Sequence, residues 1–419
     1  MTPDSVVTFP TLDGEEMHHL AIAVTLLTLA VQFPLIASEP VQWKRIQLDP
    51  VFRSEGATAF DVNRDGKIDV VAGELWYEAP DWVAHEIQPV GQYLFDTGYS
   101  SCFGCFGYDV DGDQWQDYIV VGFPGQPCHW YQNPQNRNGH WQKHEIWQVA
   151  NNESPTFADL TDDGTPELIL GSDNQLGFLP LPSQEAAKRI WKFRPISTPG
   201  NSAENGSATF YHGLGYGDLN GDGRPDVLIP HGWYQNPCPE ESGPWKFHPF
   251  ALKKPIALDK PGSDSPLLAA HLFTDDLDLD GDQDIVMSSA HEYGIWWLEN
   301  LGGEENTEFQ YHLIDESFSQ THALQMADID GDGDDDFVTG KRFFAHNGND
   351  PGGQDAVVMY WVEVQRTRGA PPTFTMHEIE AGRNTGIGTQ FTVQDVTGDG
   401  LFDIVLANKK GVNLLIQMP

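Results

Sequence analysis

The chain reads as an all-β protein, a seven-bladed β-propeller over residues 41–419, and three observations carry that reading. One acidic motif returns seven times, at Asp61, Asp109, Asp159, Asp218, Asp276, Asp328 and Asp395, with starts 48 to 67 residues apart by subtraction. That spacing is about one four-stranded unit. Gly 42, Pro 29 and 11% aromatic residues suit many short strands and tight turns. No convincing long amphipathic helix pattern follows residue 40. A long β-helix is the main rival, but its repeats would be shorter.

The elements of one copy can be read in order. A short apolar stretch leads into the acidic loop, and a β-branched run such as "DVV", "DVLI" or "DIVM" leaves it. An aromatic segment follows, "WYEAP", "WYQNP" at Trp130 and Trp233, or "WWLEN". Last comes an outer strand: "WVAHEI", "WQKHEI", "WKFRPI", "WKFHPF", "FQYHLI" or "FTMHEI". These are six outer strands for seven loops. The seventh, "WKRIQL" from Trp43, precedes the first loop, so the N-terminal strand is expected to complete the last unit and close the ring without an exposed edge.

Residues 1–38 read as a secretory signal region. Leu20–Ile36 is apolar apart from Thr and Gln, and "ASEP" supplies small residues for cleavage. The first sixteen residues lack Lys and Arg, which points to Met17 as the translation start. The expected location is secreted or periplasmic, with no membrane span in the mature form. A formal charge of -39 argues against nucleic acid as a partner, since the field repels phosphate. Four cysteines are too few for a disulfide scaffold. Cys102 and Cys105 are expected on opposite faces of a strand.

The aligned loops read D-x-[DNT]-x-D-[G/Q]-x-x-[DE] and run into a strand. Alternating oxygen donors on a tight loop suit a hard cation such as calcium, with a glycine at position six for the turn. The candidate ligands are Asp61, Asn63, Asp65 and Asp69; Asp109, Asp111, Asp113 and Asp117; Asp159, Asp163 and Glu167; Asp218, Asn220, Asp222 and Asp226. Asp276, Asp278, Asp280 and Asp284, then Asp328, Asp330, Asp332 and Asp336, then Asp395, Asp399 and Asp403 complete the set. Gln114 replaces the turn glycine in one loop, and Thr161 and Thr397 occupy position three in two others, so those three are expected to bind more weakly. Filling all seven with divalent cations would bring -39 to about -25. Calcium in this reading ties strands together and does no chemistry.

These loops make the chain similar to the FG-GAP or VCBS repeat family, whose propeller blades carry calcium loops between their first and second strands. The resemblance covers nearly the whole chain after residue 40. It implies the fold but not one function, because the family spans adhesion, carbohydrate-binding and lyase proteins.

The repeat also sorts the histidines. His85, His144, His248, His312 and His377 share one slot on the outer strand, which suits packing or a strand-edge hydrogen bond. His212 and His322 stand six residues before a loop, and His271 five. His231, His291, Lys341, Arg342 and His346 follow the second strand, with Glu74 and His129 as counterparts in earlier copies. In a propeller these positions converge at the mouth opposite the loops. A transition metal such as zinc is expected on His212, His271 and His322, with His231, His291, His346 or Tyr211 moving a proton and Lys341 and Arg342 holding anionic groups. The five-residue offset of His271 turns its side chain away unless a bulge corrects it. The bland alternative is that the histidines hydrogen-bond across a narrow channel.

The "WYQNP" segments, these histidines and "GKRFFAH" resemble the propeller domain of aldos-2-ulose dehydratases, which implies a metal site that eliminates water from a keto sugar. The cupin and lectin-like domains of those enzymes have no counterpart before Pro419. Two other functions remain open: a propeller that binds glycan or protein through Trp233, Tyr293, Trp296 and Trp297, and a purely structural surface protein. No Ser-His-Asp motif, phosphate-binding glycine loop or dinucleotide fingerprint occurs.

Overall fold

Short β-branched and aromatic runs separated by glycine turns leave the backbone one cooperative outlet, antiparallel pairing. The computed structural model describes residues 40–237, 243–253, 269–303 and 308–419, and the expected signal region lies outside them. From Val41 to Pro419 the chain forms one compact unit. Among the described residues it is all-β, with helical geometry confined to 3-10 turns of three or four residues. None of their helices is long and apolar enough to cross a membrane.

Every acidic loop joins an antiparallel pair. Thr58–Phe60 leads through the first loop to Asp69–Ala72, Gly104–Tyr108 to Asp117–Val121, and Leu214–Gly217 to Asp226–Ile229. Ala269–Asp275 leads to Asp284–Ser289, Leu324–Ala327 to Asp336–Gly340, and Phe391–Gln394 to Asp403–Asn408. The long strand Gln142–Ala158 serves twice: Trp147 pairs with Cys128, and Phe157, just before its loop, pairs with Leu168. Gln42–Asp49 pairs with Gly411–Met418, from Gln42 opposite Met418 to Asp49 opposite Val412, so the first strand lies against the last.

The ninth loop residue, at the start of the second strand, bonds both the loop and the end of the third strand. Asp69 accepts the backbone N–H of Val62 and of Ala79, Asp226 those of Leu219 and Asn236, Asp284 those of Leu277 and Asn300, and Asp336 those of Ile329 and Val364, all at 2.7–3.2 Å. These carboxylates are fully buried, and burial raises Asp69 to about 6, Asp117 to about 8, and Asp226, Asp284 and Asp336 to about 7. Their first task is therefore to tie the loop to the third strand.

Tryptophans of the third strands pack between sheets and stack on the outer-strand histidines. Trp76–His85, Trp233–His248, Trp297–His312 and Trp361–His377 lie 4.2–4.3 Å apart and nearly parallel. His85, His312 and His377 also meet Glu78, Glu299 and Glu363 at 2.6–2.7 Å. That slot is packing and hydrogen bonding.

The cysteines depart from expectation. Cys102 precedes the strand that begins at Gly104, so the chain is not extended between the two thiols, and both enter the same core cluster. Cys102 Sγ lies 3.5 Å from the Tyr118 hydroxyl. Cys102, Cys105 and Cys128 are free and buried, and Cys238 lies outside the described residues.

Candidate metal centre

Four imidazoles converge where the fold brings residues 212, 291, 322 and 346 together. His212 Nε2 lies 3.2 Å from His291 Nε2. The rings of His291 and His346 are 4.3 Å apart, and those of His212 and His322 are 5.6 Å apart. His212, His291 and His322 each offer a nitrogen within 4.8 Å of the others. His212 and His322 are buried, at 4% and 3% exposure.

Local backbone fixes which nitrogen faces inward. His212 Nδ1 lies 3.1 Å from the Phe210 carbonyl and His322 Nδ1 3.2 Å from the Gln320 carbonyl, the same two-residue step in each case. A carbonyl only accepts, so each Nδ1 carries the proton and a neutral ring keeps a lone pair on Nε2. His322 Nε2 is buried without a hydrogen-bond partner among the described residues. Burial keeps His322 well below the ordinary histidine range, reinforced by Arg342 and the other imidazoles, and brings His291 to about 4 with help from His212 and His346. Neutral rings with inward lone pairs are what a transition metal takes as ligands, and a backbone-held Nδ1–H is their usual support.

Acidic groups surround this cluster. Glu153 Oε2 lies 3.3 Å from His212 Nε2 and 3.8 Å from an Arg342 nitrogen, and Arg342 also meets Glu55 Oε2 at 3.1 Å. Burial alone would raise Glu153, but His212, Arg342 and His346 outweigh it and hold the carboxyl at about 2. With His212 Nδ1 committed to Phe210, the facing Glu153 oxygen and the Nε2 atoms need positive charge between them, from a proton or a metal ion. Asp350 Oδ2 holds His346 Nδ1 at 2.6 Å.

Gln320 is the hub of this support. Fully buried and left-handed at φ 63°, it turns its carbonyl to His322 Nδ1. Its side-chain oxygen accepts Lys341 Nζ at 2.9 Å, while its nitrogen donates to Asp350 at 3.1 Å. One glutamine thus reaches two of the four histidines. Nothing in the repeat marks it; a polar residue two before a loop-proximal histidine was the available signal.

Several expected site residues stand elsewhere. The trio of His212, His271 and His322 does not assemble, and His291 takes the place of His271. His271 pairs in parallel register with Leu214 rather than His212, and its Nδ1 faces the Leu324 N–H at 3.5 Å. In that register His271 stands two residues further along the strand than His212, toward the acidic loop. Lys341 and Arg342 are 1% exposed and already engaged, Lys341 with Ser319 and Gln320, Arg342 with Glu55 and Glu153. They brace the centre and do not line an open mouth. Trp233, Trp296 and Trp297 are core residues and not a binding face. His231 sits one step out: its Nδ1 accepts the Tyr211 hydroxyl at 3.1 Å, and its Nε2–H meets the Glu204 carbonyl. Tyr211, His212, His231 and the exposed Phe210 line a cavity of about 430 Å³ beside the cluster.

In the acidic loops, three carboxylate sets gather closely enough to hold a cation: Asp109, Asp111 and Asp117; Asp276, Asp278 and Asp280; and Asp328, Asp330 and Asp332. The Asp109 loop, expected to be weak, is among them. Gln114 there takes the left-handed turn, at φ 72°, that glycine takes in the other copies.

This all-β architecture with cation-capable loops defines the class. The FG-GAP-like repeat model matches residues 109–170 and 276–339, so the chain carries FG-GAP-like repeats. Among curated proteins none matches it. Similar solved structures include an Agrocybe aegerita lectin described by its recognition of non-reducing terminal N-acetylglucosamine, at 14% identity over 90% of this chain and 86% of that one, TM-score 0.44. BBS1N in complex with ARL6DN gives 10% identity over 91% and 97%, TM-score 0.47. The extracellular domain of the hybrid two-component system BT3049 from B. thetaiotaomicron gives 11% over 90% and 41%, TM-score 0.43.

Proposed function

We propose that the chain is a secreted seven-bladed propeller, closed by Gln42–Asp49, stiffened by calcium in its acidic loops, and carrying a transition-metal centre that eliminates water from a keto sugar. The observation that carries this reading is the inward convergence of the Nε2 atoms of His212, His291 and His322, with two Nδ1–H groups spent on carbonyls and His322 Nε2 left without a partner. An unpartnered buried nitrogen costs about 1–3 kcal/mol, which a ligating cation removes.

Those three histidines would hold the metal, with Glu153 close enough to balance its charge. A bound zinc-like ion supplies Lewis acidity toward a carbonyl oxygen. The chain's own groups do the rest. His346, with Nδ1–H held by Asp350, keeps Nε2 free to take the proton from the carbon beside the carbonyl. The electron pair left there forms the new carbon–carbon double bond as the neighbouring hydroxyl departs. His346, now protonated, returns that proton to the departing hydroxyl so that it leaves as water, while Tyr211, whose hydroxyl donates to His231, lines the adjoining cavity.

The test is elemental analysis of the protein purified in calcium buffer, alongside a His212→Ala, His291→Ala, His322→Ala variant. About one transition metal per chain, absent from the variant while calcium stays, supports the centre; calcium alone in both removes it. Enone absorbance with keto sugars then tests elimination. Saturable sugar binding with no enone would make the protein a binding propeller instead.

A further inference from the structure

We infer that a second pocket, walled by Tyr93, Tyr99, Phe123, His129 and Tyr131, binds a neutral sugar unit, so that the chain engages an oligosaccharide. The carbohydrate reading above supplies only the ligand class; the pocket is separate from the metal ligands.

The cavity encloses about 390 Å³, within the range of small-ligand sites. Its hydroxyls are oriented from behind. Glu74, 2% exposed, accepts the Tyr93 hydroxyl at 2.5 Å, the Tyr93 oxygen accepts the Ser101 hydroxyl at 2.7 Å, and Gln88 accepts the Tyr131 hydroxyl at 3.0 Å. With those protons turned toward Glu74 and Gln88, the two phenol oxygens offer lone pairs and suit a ligand rich in O–H donors. The His129 ring makes no hydrogen bond among the described residues, and Lys143 and Gln126 add donors to the lining. The carboxylate behind the wall and a chain charge of -39 disfavour a phosphate ligand. Aromatic rings interleaved with hydroxyl, amide and imidazole groups match a pyranose, which has apolar C–H faces and a polar rim.

The pocket also adjoins the histidine cluster. Tyr99 lines it and accepts the His346 backbone N–H at 3.1 Å. Phe123, another wall residue, packs 5.7 Å from Phe210, which lines the cavity next to His212 and His231. A row of Tyr99, Phe123 and Phe210 therefore separates two cavities, one for each of two linked sugar units.

The experiment is calorimetric titration of the whole protein with maltotetraose, cellotetraose, xylotetraose and chitotetraose, and with their monosaccharides. At least one tetrasaccharide should bind, and Phe123→Ala and His129→Ala should each weaken it tenfold or more with little change for the monosaccharide. Gln126→Ala, at an exposed position, should weaken it as well and guards against loss of folding. If wild type binds none of the four, or if all three variants bind like wild type, the pocket is overturned. His322→Ala separates the two readings: loss of cobalt binding with tetrasaccharide binding kept supports the pocket, and loss of the pocket's ligand in that variant alone overturns it.

Discussion

Removing calcium should make the protein less stable as pH rises from about 6.5 to 8. Asp226, Asp284 and Asp336 are fully buried, and burial raises each from 3.8 to about 7. The folded state then binds more protons than the unfolded chain over that interval. Their contribution is greatest below the unfolded value and is lost as pH rises through the folded one. A carboxyl moved that far costs about 4 kcal/mol by pH 7. Three such groups approach the whole stability of a domain, about 5–15 kcal/mol. The loops therefore need counter-charge at neutral pH, and the adjacent Asp276, Asp278 and Asp280, or Asp328, Asp330 and Asp332, can hold the cation that supplies it. Glu153, held at about 2, titrates below this window, whereas His271 and His291, lowered to about 4, and His322 bind fewer protons folded than unfolded and gain stability as pH rises to about 6.5, so the carboxylate trend stands alone only above that pH. Scanning calorimetry in chelator should show Tm falling by about 5 °C between pH 6.5 and pH 8. Excess calcium should restore it most at the higher pH. A Tm in chelator that is flat or higher at pH 8 refutes the argument.

His322→Ala should lower cobalt affinity at least a hundredfold and abolish the d–d absorbance of bound cobalt, with calcium content unchanged. Gln320→Ala keeps the backbone carbonyl that holds His322 and should leave cobalt binding nearly unchanged, while slowing enone formation about 10–100-fold through loss of the Asp350 and His346 support. Gln320→Glu should do the same, because a carboxylate cannot donate to Asp350, and cobalt spectra beside enone rates of both variants check the point. His271→Ala should leave cobalt binding intact and lower only Tm, by removing a buried ring from the sheet. Arg342→Met, which strands Glu55 as a buried unpaired charge and leaves Glu153 with His212 alone, should cost about 3–5 kcal/mol in denaturant unfolding.

The sequence by itself determined the strand architecture and the loops. Seven acidic motifs fix where each hairpin turns, because the chain must fold back where glycine and aspartate alternate, and the β-branched run after each can only extend. It also sorted the outer-strand histidines, since one slot shared by five copies implies one environment, and each stacks on a tryptophan. The metal centre was only half legible. Position before a loop brought His212 and His322 together, but counting residues does not fix strand register, so it admitted His271, which the pairing with Leu214 sets two residues along from His212. It placed Lys341 and Arg342 as free cations, because a charged residue in a sequence does not show whether its partner is Glu153 or Glu55, some 190 and 290 residues away. Glu153, Gln320 and Asp350 carry no motif at all. Their roles exist only where separate strands meet, since a lone pair becomes a ligand candidate when tertiary structure takes away every other partner.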